Sequence, residues 1–469
     1  MLGTLSHCQR PDTPDPDIPE PPEVPDTTEV EVEIPIGTHV IPASPQRIGD
    51  PESGRDYLIY GDYLRSGIPY AAFLFVQGQD PTNELDRIGD NRVLNYAYTA
   101  VDAPNGVRIV GANCLQCHAD TYNGELIVGL GNAHGDFTFD VSTMVPQIDA
   151  GIQLVYGNPS PEWEAWEPVR KSMLATGPYS TMPTLGVNPA DQISLILALH
   201  RDPNTLAWSD TSLGSFPLTP IPTDVPPWWH MKKKHALYYN GAGRGDFAKF
   251  LMTASLMTLS DSGEARRIDR HFEDVVAYIQ SLEAPTYPEQ VDDSLVAIGE
   301  VLFAETCSKC HGTYGTEETY PNLLVDLPTI GTDPSLAHEN FAFAPFVDWY
   351  KESWFSQGSQ AAALTIEPGY VAPPLDGVWV TAPYFHNGSV PTLEGVLNSQ
   401  ARPTLWRRSF TDREYDHEAV GWVYEGMAEK QDLETYDTRE EGYGNQGHTF
   451  GDHFSDAERK AVIEYLKTL

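Results

Sequence analysis

The sequence predicts a mainly α-helical chain of two units with long loops and little strand, and three observations predict it. A five-residue cysteine motif occurs twice, at residues 114–118 and 307–311. An apolar helical segment, Val275 to Leu282, has a counterpart in Val462 to Leu469, as expected of two copies of one ancestral unit. Gly and Pro, 38 and 39 of 469 residues, both exceed ordinary usage, which shortens elements and lengthens loops.

Each feature carries further consequences. A chain of 469 residues is long enough for two domains, each burying its own core. The formal charge of −38 argues against binding nucleic acid phosphates or anionic lipid. There is no run of 18 apolar residues, so no transmembrane helix is expected. No Ser/His/Asp array or phosphate-binding glycine loop supports hydrolase or nucleotide chemistry.

The two motifs are Cys114-Leu115-Gln116-Cys117-His118 and Cys307-Ser308-Lys309-Cys310-His311. Both read C-x-x-C-H, the haem c attachment signature. Two thiols at this spacing reach the two vinyl groups of one porphyrin, and the next imidazole lies under the iron as proximal ligand. Half a zinc site or a redox dithiol also uses C-x-x-C. Zinc needs two more ligands near each pair, and a dithiol has no need of the following His. Two covalent haems are therefore expected.

Haem attachment of this kind occurs outside the cytoplasm, so the expected location is extracytoplasmic: periplasmic, outer-membrane-tethered or secreted. Residues 1–7 are too short for the apolar core of a signal peptide. Cys8 follows Leu5-Ser6-His7, a faint likeness to a lipoprotein box, so Cys8 is read as either a lipid anchor or an ordinary thiol. Residues 11–34 hold seven Pro, nine acidic residues and no basic one, the composition of a solvated tether. The expected domains are a disordered Pro-rich tether over 1–40, an N-terminal haem c domain over 41–287 and a C-terminal cytochrome c domain over 288–469.

In the second domain Leu295, Ile298, Gly299, Leu302 and Phe303 follow helical spacing straight into Cys307. Ser455 and Glu458 form a capping box ahead of the apolar stripe Ala461, Val462, Tyr465, Leu466 and Leu469. A leading helix crossing a final helix with the haem beside them is the pattern of a small cytochrome c domain. In the first domain Ala284-Pro285 stops the matching final helix, and the leading helix is expected around Val93 to Tyr98.

The second axial position decides what each haem can do. In the second domain it falls to the loop before the last helix, where His448 lies 17 residues before Tyr465. His386 and His453 are alternatives. The equivalent position in the first domain is Asp261. Met257 and Met252 are near, with spacing that also suits core packing. His200, His230 and His235 are further candidates. The reading favoured here leaves the His118 haem open on its distal side.

Pro226-Pro227-Trp228-Trp229 precedes Lys232-Lys233-Lys234. The Trp pair suits either an electron route between haems or packing at a domain interface. The lysines suit a solvated face, or they or Arg244 pair with haem propionates, which need neutralising if buried.

The stretch from Leu375-Asp376-Gly377-Val378-Trp379 through Thr381-Ala382-Pro383-Tyr384-Phe385-His386-Asn387-Gly388 to Ser389-Val390-Pro391-Thr392-Leu393 resembles the signature loop of the bacterial di-haem cytochrome c peroxidase superfamily. Pro226 to Trp229, Gly241 to Asp246 and Ile279 to Pro285 look more specifically like its rubber-oxygenase branch. The resemblance implies a five-coordinate N-terminal haem on His118 that binds O₂. It also implies a bis-His C-terminal haem on His311 and His448, and a Trp of the pair 228–229 near both. Asn398-Ser399-Gln400 follows the loop where typical peroxidases are expected to offer Met, which weakens the plain peroxidase reading. Polyisoprene is not expected as substrate. The expected function is an oxidoreductase acting on O₂ or H₂O₂ with a small redox protein or organic donor. The alternative is a non-catalytic electron carrier. Related peroxidases hold calcium between the haems; no loop here locates such a site.

Overall fold

A computed structural model of the chain describes residues 35–338 and 343–469. Cys8, with its proposed lipid anchor, and the tether as far as residue 34 lie outside the described residues. The tether expected over 1–40 ends sooner than expected, because Thr38–Val40 is a strand, paired antiparallel with Leu323–Asp326 (Thr38↔Val325, Val40↔Leu323).

Helices dominate and strands are short, none longer than five residues among those described. Two helix crossings organise the chain. In the second half, Asp293–Thr306 runs into Cys307 and packs across Asp456–Leu466. The second of these starts as its sequence dictates: Ser455 caps it and the Glu458 side chain returns to the Ser455 backbone, a closed capping box. In the first half Pro51–Tyr60 packs across Ser262–Ser281 in the same way. Asp50 and Asp261 supply the N-caps of that pair.

Each crossing closes on a glycine. A Cβ on Gly299 would stand 2.0 Å from the Ala461 carbonyl oxygen, and one on Gly54 would stand 1.8 Å from that of Asp274. Ala461 and Asp274 are each the residue just before the repeated segments that begin at Val462 and Val275. The two crossings therefore match at their point of closest approach, a glycine against the equivalent position of the final helix. The leading helix of the first half is Pro51–Tyr60, which corrects the placement at 93–98. There Gly89–Val93 is a short 3₁₀ turn and Tyr98–Asp102 a strand. That strand and Arg108–Ala112 form an antiparallel hairpin (Val101↔Ile109) that delivers the chain to Cys114. Of the expected stripe before Cys307, Gly299 and Phe303 are buried and Leu295 and Leu302 half-buried, while Ile298 is exposed.

Residues 35–469 pack as one contact unit. Strands from both halves pair: Thr38–Val40 with Leu323–Asp326, and Gly243–Gly245 with Ala362–Leu364 (Gly243↔Leu364). The link between Ser281 and Asp293 contains no regular element. Two main cores form, and each draws on both sides of that link. One gathers Ile268, Phe272, Val276 and Trp228 with Phe346, Tyr350 and Phe355; the other gathers Phe303, Trp379 and Val462 with Leu130 and Trp229.

Candidate haem sites

In the second half, the helix Asp293–Thr306 passes directly into the turn Ser308–His311. The His311 Nδ1 donates to the Pro373 carbonyl at 2.8 Å, which fixes the ring and leaves Nε2 free to act. Across from it stands His448. Its backbone is left-handed (φ 45°), and its N–H donates to the Ile330 carbonyl at 2.7 Å. Arg402 donates to the carbonyls of Gly447 (2.6 Å) and His448 (3.1 Å), tying the loop down. The two imidazole centroids are 6.3 Å apart.

His311 and His448 line one cavity of about 380 Å³ together with Cys307 and Cys310. Its other walls are mainly apolar, Phe303, Leu393 and Val462 among them. The His448 Nδ1 is buried with no hydrogen-bond partner. Burial, His311 and Arg402 hold its imidazole down to about 4, and burial lowers His311 as well, so both rings are neutral at pH 7, the form that binds metal. Metal–imidazole bonds are about 2 Å, and the ring adds about 1.2 Å on each side, so two rings sharing one metal need centroids roughly 6 Å apart. The spacing, the paired thiols and the apolar walls all fit a haem c.

His386 lines the same cavity, but its ring stacks on Tyr370 at 4.0 Å. His453 packs against Phe454 beside the start of the last helix. Neither faces His311 as His448 does.

In the first half the motif is the turn Leu115–His118. The Asn113 side chain starts it by accepting from the Leu115 N–H at 2.8 Å, and it donates to Tyr96 and Thr99. Cys117 Sγ accepts from Asn188 Nδ2 at 3.2 Å. His118 is held differently from His311: its ring stacks on Trp228 at 4.7 Å with 21° between planes, and its Nδ1 is buried without a partner. Burial holds this imidazole down to about 4.

The candidates for a second ligand here are occupied elsewhere. Asp261 caps the helix Ser262–Ser281. Met252 is fully buried in the apolar core, and Met257 packs on it. His200 stacks on Trp208 and its Nδ1 bonds the Ser209 carbonyl; His235 bonds the Ile41 carbonyl and His230 that of Asp376.

Trp228 and Trp229 are adjacent but belong to different cores, the first with Ile268, Phe272 and Val276, the second with Phe303, Trp379 and Val462. Trp229 Nε1 donates to the Asp376 carbonyl at 2.8 Å. Pro226 and Pro227, just before them, line the cavity of the second site. One short segment thus runs from that cavity to the face of His118. Of the lysines after it, Lys232 pairs with Glu283 (2.5 Å) and Lys233 with Glu318 and Asp376. Arg244 is engaged by Glu367 and the Gly241 carbonyl.

Sequence reading missed Asp224, and it did not single out Lys234 from its two neighbours; both line the cavity. It also missed the Asn188 contact to Cys117. Their roles depend on burial and long-range packing, which no local spacing reports. Among the described residues no cluster of three or more His, Cys, Asp or Glu is gathered as for a metal ion, so no calcium site is located. Nor is any described helix long and apolar enough to cross a membrane.

Residues 369–407 match a family model described as RoxA-like, cytochrome c-like. That stretch holds Pro373, the partner of His311, and the loop that walls the cavity. Two proteins of Sinorhizobium fredii (strain NBRC 101917 / NGR234), both described as uncharacterized, are similar in sequence. One, y4iM, is 28% identical over 314 residues, spanning 58% of this chain and 70% of that protein. The other, y4iJ, is 27% identical over 253 residues, spanning 40% of this chain and 41% of that protein. A solved structure of Kuenenia stuttgartiensis hydrazine synthase, pressurized with 20 bar xenon, overlaps 58% of this chain and 85% of its own at 14% identity. Its TM-score of 0.26 adds nothing to the fold assignment. The matched segment is cytochrome c-like, and the C-x-x-C-H motif that shares its cavity is the one by which such a domain binds haem c covalently.

Proposed function

We propose that the chain is a di-haem oxidoreductase, with one haem c on Cys114, Cys117 and His118 and a second on Cys307, Cys310, His311 and His448. A haem with a free axial position supplies binding of O₂ or H₂O₂, whereas one held by two imidazoles supplies electron transfer. The observation that carries the reading is an asymmetry. His311 is faced by His448 across a cavity, whereas the candidates for a second ligand at His118, namely Asp261, Met252, Met257, His200, His230 and His235, are each engaged elsewhere. The matched helix crossings support one haem unit over 41–287 and another over 288–469.

The protein's own groups have defined tasks in this scheme. His118 and His311 present neutral imidazoles. Pro373 holds the His311 ring in one orientation. Arg402 pins the loop that presents His448. Trp228 and Trp229 lie between the two sites and serve as the electron relay, since an indole in contact with His118 shortens the gap any electron must cross. The electron donor is a small redox protein or an organic molecule. Cytochrome c domains of this kind work outside the cytoplasm.

The net charge of −38 favours a second reading, an electron carrier that docks basic partners. Spin state separates the two. Untreated ferric holoprotein is expected to show one high-spin and one low-spin haem by EPR and visible spectroscopy, and the reduced protein is expected to bind carbon monoxide. Wholly low-spin spectra with no carbon monoxide binding would leave only the carrier. Replacing His448 with Ala is expected to turn the remaining low-spin haem high-spin; an unchanged spectrum would move the ligand role to another residue.

A further inference from the structure

We infer that Lys234 is the residue that neutralises a propionate of the haem held by Cys307 and Cys310. The inference rests on the reading of that cavity as a haem site and extends it to the far edge of the cofactor.

The three consecutive lysines 232–234 are not equivalent. Lys232 is paired with Glu283, and Lys233 with Glu318 and Asp376. Lys234 turns to the cavity wall, and among the described residues no carboxylate pairs with it. Burial holds its ammonium down to about 8, the direction expected of a cation without an anion beside it.

The cofactor supplies that anion. A haem c carries two propionates on the edge away from its thioether bonds, and an unpaired carboxylate in an apolar cavity is strongly disfavoured. The cavity wall offers two cationic side chains, Lys309 and Lys234. Lys309 lies between the two cysteines in sequence, hence at the thioether edge, and is exposed. Lys234 is left for the opposite edge. The carboxyl in the wall, Asp224, does not compete: Tyr239 donates to it at 2.6 Å, and burial pushes it up to about 7. Arg244, the other cation considered from sequence, is engaged by Glu367 away from this wall.

The test uses full-length holoprotein. A C307A/C310A variant establishes whether the cavity is a haem site: loss of one of two covalent haems supports it, and unchanged haem content overturns the underlying reading. With the haem confirmed, the midpoint potential of the low-spin haem is measured in wild type, K234M and K234R. Removing the cation disfavours the electron-rich state, so in K234M the oxidised-to-reduced ratio at a fixed poise is expected to rise about tenfold. K234R is expected to stay at the wild-type value. An unchanged potential in K234M overturns the assignment. If K234M does not accumulate, reductive methylation of wild-type holoprotein read by mass spectrometry decides instead. Lys234, bonded inside a filled cavity, is expected to react far more slowly than Lys232; equal rates overturn the assignment.

Discussion

Asp191 shows how little of a buried group's behaviour is local. It stands in the first turn of the helix Ala190–Leu199, is 3% exposed, and has Thr223 donating to it at 3.3 Å. Burial lifts its carboxyl to about 7, far above an ordinary aspartate. Between the unfolded value near 4 and this folded value, the folded chain holds a proton that the unfolded chain releases. Stability from this group is therefore complete below about pH 4 and is lost as pH rises through 7. Asp191→Asn removes the loss. In urea titrations followed by circular dichroism, the variant is expected to match wild type near pH 4 and to exceed it by about 4 kcal/mol at pH 8. A constant difference across that range would show that the carboxyl ionises freely in the fold. The same contrast separates what could be read in advance from what could not. The two C-x-x-C-H motifs and His448 announce themselves by spacing. Spacing leaves Lys232, Lys233 and Lys234 equivalent, as a solvated face or as propionate partners, until the fold pairs the first two and leaves Lys234 at a cavity.

At the scale of elements, legibility followed distance along the chain. The leading helix of the second half ends at its motif, and its crossing partner carries a complete capping box, so both were visible. In the first half a hairpin and a further helix, Tyr70–Gln77, intervene between Pro51–Tyr60 and Cys114, and that separation hid the equivalent helix. The shared signal was a glycine, a residue that periodicity arguments treat as neutral. At Gly299 and Gly54 the partner atom is a backbone oxygen, which cannot swing aside as a side chain would. Substitution by Ala must push the helices apart and is expected to cost about 1–3 kcal/mol at each site. Thermal unfolding of G299A and G54A holoproteins, followed in the Soret band, checks this. Wild-type stability in G299A would mean that the helices cross with more room than their backbones show. The exposed Ile298 marks the limit of a helical stripe as a guide: it satisfies the spacing yet faces out, while Gly299 beside it makes the contact.

For the whole molecule, two features were drawn from composition and two came only with the fold. Helical dominance and long loops followed from Gly and Pro content and the repeated helices. The strand pairs that stitch residues 38–40 and 243–245 to the second half did not, because each strand is only three residues long and its partner lies over a hundred residues away. Net charge has a consequence that no single residue carries. At −38 the chain is surrounded by a negative potential, which attracts cationic reactants and repels anionic ones until salt screens it. Reduction of the ferric protein by a small cationic metal complex is therefore expected to slow about tenfold as ionic strength rises from low millimolar to above physiological, and reduction by an anionic reductant to accelerate. Stopped-flow measurements of both reductants over one salt series make the comparison. If both rates moved together, salt would be acting on the fold or the haem potentials. If neither moved, the acidic groups would lie too far from the electron entry point to select a partner, and the preference for a basic donor would lose its physical ground.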